Sequence, residues 1–308
     1  MKVVFIIPPK VHLLDITGPA HIFYEAVCYG ASATLLYSSI STQETDVVSS
    51  SGLAFHQLVP FNSLLLEEGD LVFVPGLDAS LLLNDVFYDR AGAFLQWLQV
   101  QQQAGVVVCA VCTGAFLLAE AGLLNGRYCT THWKYATIFQ QRYPDACFLG
   151  NRLFTKDLGV YTSAGVASGI DLALFITEQL WGPFLAAQVA KEVVVYFRRG
   201  PEDVQLNVFT QYRNHLDARV HQVQDILMQR LDQPFSIEAL ASQVNMSSRN
   251  LTRLFKKTAG LTIGVYHARL RVARATQLLG EGATIQEAAL QCGFKSVNSL
   301  RSLLHSGC

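Results

Sequence analysis

The chain has 308 residues, 51% of them hydrophobic and 15% charged, a balance that suits a well-packed globular protein and excludes intrinsic disorder. Its length allows two domains, one of about 200 residues with a large core and one smaller. The net charge of −1 hides an asymmetry: residues 1–200 carry 11 Lys/Arg against 16 Asp/Glu (−5) and residues 201–308 carry 12 against 8 (+4), so only the C-terminal part suits a polyanion.

The chain opens with "MKVVFIIPPKVHLLD", in which "KVVFII" reads as a first strand. Two prolines and a charge cut the apolar run short of a signal h-region, and no small-residue cleavage site follows. Seven scattered cysteines (Cys28, Cys109, Cys112, Cys129, Cys147, Cys292 and Cys308) without a secretion signal predict reduced thiols and a cytoplasmic protein. Asp15 lies in "LLDITGP", just past the first strand and ahead of a helix whose entry Pro19 marks. Then come the helical pattern "GPAHIFYEAVCY", the strands "ATLLYSS" and "DLVFVPG", and the helix "RAGAFLQWLQVQQQ". Alternating strands and helices predict a doubly wound α/β domain with a parallel sheet, whose ligands bind beyond the C-terminal strand ends. No GxGxxG, Walker A or HExxH motif occurs, so neither a nucleotide nor a metalloprotease role is supported.

Residues 104–124, "AGVVVCAVCTGAFLLAEAGLL", admit four readings. A membrane span is one, against which Gly105, Gly114 and Gly122 divide the run and β-branched residues favour a strand. A structural zinc site is another, since Cys109, Cys112, Cys129 and His132 follow C-x2-C-x16-C-x2-H; the apolar helical pattern between the pairs and the lack of glycine-rich knuckles count against it, and it stays open. A redox CxxC would need the helix to begin between the cysteines, whereas Cys109 still belongs to the strand. The fourth reading fits best: "GVVVCAV" is a buried strand, "GAFLLAEAGLL" a helix ended by "NG", and "AVCTG" the tight elbow that lifts Cys112 clear of the sheet. At a helix N-terminus the thiolate of Cys112 would be favoured. His132, in "CTTHW", is a third candidate on the next strand or loop, although a lone His is more often a hydrogen-bonded core residue.

Around "YFRRGPEDVQLNVFTQYRNH" apolar periodicity fades, and Gly200 and Pro201 mark a linker. Beyond it the chain reads as helices. "SIEALASQV", "NMS" and "SRNLTRLFKKTAG" form helix, turn and helix, with Ser236 as N-cap. After the long helix "TIGVYHARLRVARATQLLGE", a weak repeat matches Ile285 with Ile237, Ala289 with Ala241 and Leu300 with Leu251. Two helix-turn-helix units on a connecting helix of about 18 residues, hence about 27 Å, suit successive turns of a DNA major groove. Arg249, Asn250, Arg253, Lys256 and Lys257 populate the first recognition helix, Lys295 and Asn298 the second. Arg and Asn read base edges; Lys more often neutralises phosphate. Composition alone favours a plain helical bundle with basic faces.

The ordered motifs go further. "VCTGAFLLAEAGLLNGRYCTTHW", with "LLDITGP" before it and "YTSAGVASGIDLAL" after it, resembles the PfpI/ThiJ (class I glutamine amidotransferase-like) superfamily over residues 1–197. The match is to the branch of isocyanide hydratases and of sensor domains in AraC-type regulators. The resemblance implies that Cys112 is the reactive residue, that Asp15 hydrogen-bonds near it, and that Thr113, Gly76, Leu77 and His132 line a ligand site. Thr113 stands where protease-like members carry His, which counts against peptidase chemistry. Leu77 replaces the second glycine of the usual "PGG" and is expected to narrow an oxyanion pocket. After a linker at 198–217, residues 218–308 resemble the DNA-binding domain of AraC-type regulators, C-terminally truncated at "SLRSLLHSGC" where the family continues into a further packing helix. The fold class expected is therefore α/β followed by an all-α domain with two helix-turn-helix units.

The resemblance implies a sequence-specific transcription regulator that binds double-stranded DNA and senses a small-molecule effector or reactive species near Cys112. It further implies a homodimer, with no cofactor, no metal and no membrane association. The alternative is a cysteine-dependent enzyme, an isocyanide-hydratase-like lyase or a hydrolase, with a vestigial DNA-binding tail.

Overall fold

The computed structural model describes residues 1–195, 199–201, 212–213, 215–280 and 283–305, which divide into units Met1–Gln205 and Leu206–Cys308. In the first unit the chain runs β1 (Lys2–Ile7), α1 (Leu13–Cys28), β2 (Thr34–Ser39), the short strands β3 (Val47–Val48), β4 (Ala54–Phe55) and β5 (Val59–Pro60), then β6 (Leu71–Val74), α2 (Ala79–Leu82), α3 (Asp85–Gln103), β7 (Val107–Val111) and α4 (Gly114–Glu120). It continues through β8 (Tyr128–Cys129), α5 (Ala136–Arg142), β9 (Cys147–Phe148), β10 (Phe154–Asp157), β11 (Val160–Ser163), α6 (Val166–Trp181) and α7 (Pro183–Glu192).

Seven strands form one sheet in the order β10-β11-β7-β6-β1-β2-β5, parallel except where β10 pairs antiparallel with β11. Period-2 alternation divides its side chains between two cores. Val4, Ile6, Val72, Val74, Val108 and Ala110 face the core that α3 and α4 complete, and Val3, Phe5, Phe73, Cys109 and Val111 face the one that α1, α6 and α7 complete. A sheet covered on both faces is why these strands read as continuous apolar runs. The chain builds outward from β1 to β2 and β5, then returns to β6 and builds the other way, so strand order reverses between β1 and β6, where ligands of open α/β sheets bind.

Two boundaries differ from the sequence reading. The first helix begins at Leu13, so Asp15 lies in its first turn and Pro19 inside it. The kink-prone Gly18-Pro19 pair is placed where α1 crosses α6: a Cβ on Gly18 would stand 2.9 Å from Ile170 Cγ1, so only glycine lets the helices approach this closely. The helix after Cys112 ends at Glu120, before Gly122 at φ +69° rather than at the later Asn-Gly.

The second unit comprises α8 (Ala218–Gln229), α9 (Ile237–Gln243), α10 (Ser248–Ala259), α11 (Ile263–Gly280), α12 (Ile285–Gln291) and α13 (Val297–His305). Leu240, Ala241, Leu251, Phe255, Tyr266 and Leu270 centre one core, and Ala275, Ala288, Ala289, Cys292 and Leu300 a smaller one. Most of the expected linker, 198–217, lies outside the described residues. Tyr212, Arg213 and His215 within it are bound to the second unit.

Candidate functional site

The elbow is where sequence and geometry meet most tightly. β7 ends at Val111, and Cys112 adopts φ +58°, a left-handed conformation that a non-glycine residue takes only when its surroundings impose it. They do so on both sides: the Cys112 N–H donates to the Ser163 carbonyl at 2.9 Å, and the Thr131 hydroxyl donates to the Cys112 carbonyl at 2.9 Å. Gly114 follows because a Cβ there would lie 2.1 Å from the Val74 carbonyl oxygen, closing off β6. This is a tight strand-to-helix elbow, the backbone form in which a side chain is lifted from the sheet.

The elbow reading displaces the other three. Cys109 faces the core beneath α1 and α6 while Cys129 faces the opposite core, so the sheet stands between them and they cannot share one zinc ion. No helix among the described residues is long and apolar enough to cross a membrane. Cys109 lies in mid-strand, fully buried, its thiol pushed far up by burial, which leaves no redox pair with Cys112.

Past the ends of β1, β6 and β7, the sequence-predicted Asp15, Gly76, Thr113 and Cys112 come together. Asp15 Oδ2 accepts the Gly76 N–H at 3.2 Å, and a Cβ on Gly76 would lie 2.4 Å from that oxygen, so this glycine is needed for the carboxyl to approach. The other oxygen, Oδ1, is buried without a hydrogen-bond partner. His12, absent from the sequence reading, joins the group: its Nδ1 lies 3.6 Å from Asp15 Oδ2, and its pKa rises above the ordinary value chiefly through that carboxylate. Donor atoms of His12, Asp15 and Cys112 all lie within 4.8 Å of one another. Nitrogen, oxygen and sulfur donors at such spacing are types that zinc accepts, but a metal would have to displace the thiol proton.

That proton is firmly held. Cys112 is only 4% exposed, and burial first, then the negative charge of Asp15, push its thiol well above the ordinary range; the Thr113 N–H opposes them weakly. The expected thiolate is thus corrected. α4 is only seven residues long, and its dipole does not offset desolvation beside a carboxylate. Among the described residues the exposed thiols are Cys28 and Cys147, whereas Cys112 is buried.

Leu77 departs from expectation too. Its side chain is fully buried in the core with α3 and α4, not in a ligand pocket, and its N–H donates to Thr113 Oγ1 at 3.1 Å. With the Gly76 N–H given to Asp15, neither amide is aimed at a developing oxyanion. His132 flanks the cluster: it is half-buried, its Nδ1 accepts the Lys134 N–H at 3.3 Å, and Cδ2 stands 3.2 Å from where a Gly165 Cβ would be. Burial lowers its pKa, opposed by Asp15.

In the second unit the predicted DNA-facing residues share exposure. Leu251, Phe255 and Ala259 anchor α10, while Arg249, Asn250, Arg253, Lys256 and Lys257 are all exposed, as are Lys295 and Asn298 at α13. Ser247 caps α10 by accepting the Asn250 N–H, Ser236 caps α9 as expected, and Gly260 ends α10 in the left-handed conformation. The repeat is structural: Ala241 and Ala289, Leu251 and Leu300 are all buried. It extends to Asn245 at φ +53° and Gly293 at φ +68°, each eight residues past its matched isoleucine, in the turn between the two helices.

Comparison with known proteins bears on both units. The DJ-1/PfpI family profile matches residues 1–179, and a helix-turn-helix domain profile matches 240–305. The chain is 34% identical over 234 residues to the HTH-type transcriptional regulator CdhR of Pseudomonas aeruginosa, covering 75% of this chain and 67% of that one. To the regulator GbdR of the same species it is 31% identical over 226 residues, 72% of this chain and 61% of that one, so the chain spans roughly three-fifths to two-thirds of these relatives' length. In structure, an AraC family transcriptional regulator from Pseudomonas putida superposes with a TM-score of 0.52 at 22% identity, over 62% of this chain and 98% of that one, a likeness of fold. The chain belongs to the DJ-1/PfpI family, its family domain followed in the same polypeptide by a helix-turn-helix domain.

Proposed function

We propose that this chain is a sequence-specific DNA-binding transcription regulator whose α/β unit senses a small molecule or reactive species at the cluster of Cys112, Asp15 and His12. The observation that carries the DNA-binding half is α10, capped at both ends, with its apolar face in the core and Arg249, Asn250, Arg253, Lys256 and Lys257 together on its open face. Guanidinium and amide groups toward the helix N-terminus suit base edges, and the two lysines suit phosphate.

The sensing half is supported by a cluster whose members are held but not spent: a protonated thiol, a carboxyl with one unpartnered oxygen, and an imidazole beside them. The same features weigh against the hydratase or hydrolase alternative, which needs a thiolate and free amide donors for an oxyanion. Sensing requires that the site's two states differ in their preference for DNA. Double-stranded DNA is the proposed partner, and two copies of the chain reading paired half-sites the proposed assembly. Residues 1–197 and 218–308 are the proposed domains.

Gel-shift titration of the full chain against its own upstream region and a shuffled duplex of equal length tests the reading. Tighter binding to the former, falling steeply with salt, is expected; equal affinity for both refutes it.

A further inference from the structure

Ahead of α8, the chain makes a set of contacts that the helix-turn-helix function does not use. The Tyr212 ring meets Tyr266 edge-on at 6.0 Å, its hydroxyl takes a hydrogen bond from Arg269, and its carbonyl accepts Gln224 Nε2 at 2.7 Å. Arg213 pairs with Asp225 at 2.6 Å. The His215 and His221 rings stack with centroids 4.2 Å apart and planes 27° from parallel.

The hydrogen bonds fix the protonation of this stacked pair. Gln224 spends its amide N–H on the Tyr212 carbonyl, so its oxygen faces His215 Nε2 at 3.2 Å and that nitrogen carries the hydrogen. His221 Nε2 faces the His215 carbonyl at 2.7 Å and must carry one also. Both Nδ1 atoms are then bare lone pairs, and both are buried without a partner among the described residues. A proton on either would leave a buried donor with no acceptor and a cation stacked on the neighbouring ring; a second would set two cations face to face.

Surrounding charge relieves this only in part, Asp217 favouring a proton on His215 less than burial and His221 oppose it. Asp217 is engaged by the Arg219 guanidinium and the first amides of α8, and Asp225 by Arg213. Arg269 and the unpartnered hydroxyl of Tyr266 face the clasp from α11. We infer that Tyr212, Arg213 and His215–Asp217 form an acid-released clasp on the second unit, held to α8 and α11 while His215, stacked on His221, is neutral and detached when His215 takes up a proton. Burial, then His221, hold the His215 pKa below its ordinary 6.5, which agrees in sign: folded His215 resists a proton, so its contribution is full above pH 6.5 and fades as pH falls.

Hydrogen exchange of the full chain, read by mass spectrometry and corrected for intrinsic rate, tests the clasp. Since each proton taken up shifts an opening equilibrium by as much as tenfold per pH unit, opening of 212–224 should rise about tenfold or more from pH 7.5 to 5.5. A rise below about threefold, or an equal rise in α10 signalling general unfolding, overturns the proposal. H215Q/H221Q keeps amide donors and removes titration, so its opening should not change with pH; a wild-type response in this variant also overturns it. Gln224→Leu, which removes both amide contacts, should open the segment at either pH and sets the fully open signal. Titration of the imidazole C2–H resonances, assigned with single variants, gives a second readout: His215 must titrate below 6.5, with the midpoint of the exchange change, and any other midpoint overturns the proposal even if the double variant has lost the clasp.

Discussion

The Thr113 hydroxyl satisfies both backbone groups of Leu77, accepting its N–H at 3.1 Å and donating to its carbonyl at 3.2 Å, and so ties the residue after Cys112 to the loop after β6. All of these atoms are buried. Thr113→Val keeps the shape and leaves two backbone groups unpaired, which should cost about 1–3 kcal/mol, while Thr113→Ser stays near wild type. The three tryptophans, Trp97, Trp133 and Trp181, all lie in the first unit, so their fluorescence in urea follows that unit's unfolding alone. A valine variant as stable as wild type would show that the bond pair is not formed in solution.

Two glycines separate packing from propensity. Gly114→Ala drives a methyl against the Val74 carbonyl, and overpacking against backbone should cost about 3 kcal/mol. Gly92, exposed within α3, has nothing within 4 Å of an added Cβ, so Gly92→Ala should stabilise by about 0.5–1 kcal/mol through helix propensity. Urea midpoints moving in opposite directions are expected; a tolerated Gly114→Ala means the elbow does not rest on β6.

Thiol labelling tests the electrostatics of the site. With limiting iodoacetamide at pH 8, mass spectrometry should find Cys28 and Cys147 modified before Cys112, because Cys112 is buried and kept protonated. Asp15→Asn removes the second cause of that raised pKa, leaves burial in place, and should speed Cys112 labelling severalfold. A slower or unchanged rate would mean that access alone limits the reaction and that the carboxylate does not govern the thiol.

The elbow was legible because its causes are local: β-branched residues, one cysteine, then glycine where a Cβ would strike Val74. The helix-turn-helix repeat was legible too, as matched apolar positions whose spacing differs only by one residue ahead of Leu300. His12 was missed because its role depends on where α1 starts. With Pro19 taken as the helix entry, His12 and Asp15 fell in a loop; with the start at Leu13, H-x-x-D spans the first turn and turns both side chains to one face. The state of the thiol was misread because desolvation is a property of the assembled core, to which Phe5, Phe73 and Val111 contribute from separate strands. The fate of Leu77 is of the same kind: its neighbours in sequence point to a pocket, but a hydroxyl 36 residues on captures its amide.

On the DNA side, Arg253→Ala should lose about 1–3 kcal/mol on the preferred duplex and relax sequence preference, because a guanidinium toward the groove reads base edges. Lys257→Ala should weaken binding to preferred and random duplexes alike and lower the salt slope by about 1. Fluorescence anisotropy across a salt series distinguishes the two. Equal losses of specificity from both variants would reject this assignment of roles along α10.

The His12–Asp15 pair sets a pH dependence opposite in sign to that of the clasp. Asp15 raises the pKa of His12, so the folded first unit binds a proton that the unfolded chain releases more readily. The stability this adds is full below pH 6.5, the ordinary value, and is lost as pH rises through the higher folded value. His12 is half-exposed, which keeps the contribution small, so the informative quantity is a difference between variants. Tryptophan-monitored urea midpoints at pH 6 and pH 8.5 should show His12→Gln less stable than wild type at the lower pH and equal to it at the higher. In the Asp15→Asn background the same substitution should make no difference at either pH, since the imidazole then has no carboxylate to pair with. If His12→Gln costs the same at both pH values, the imidazole serves only as packing at the start of α1, and the third member of the proposed sensing cluster is lost.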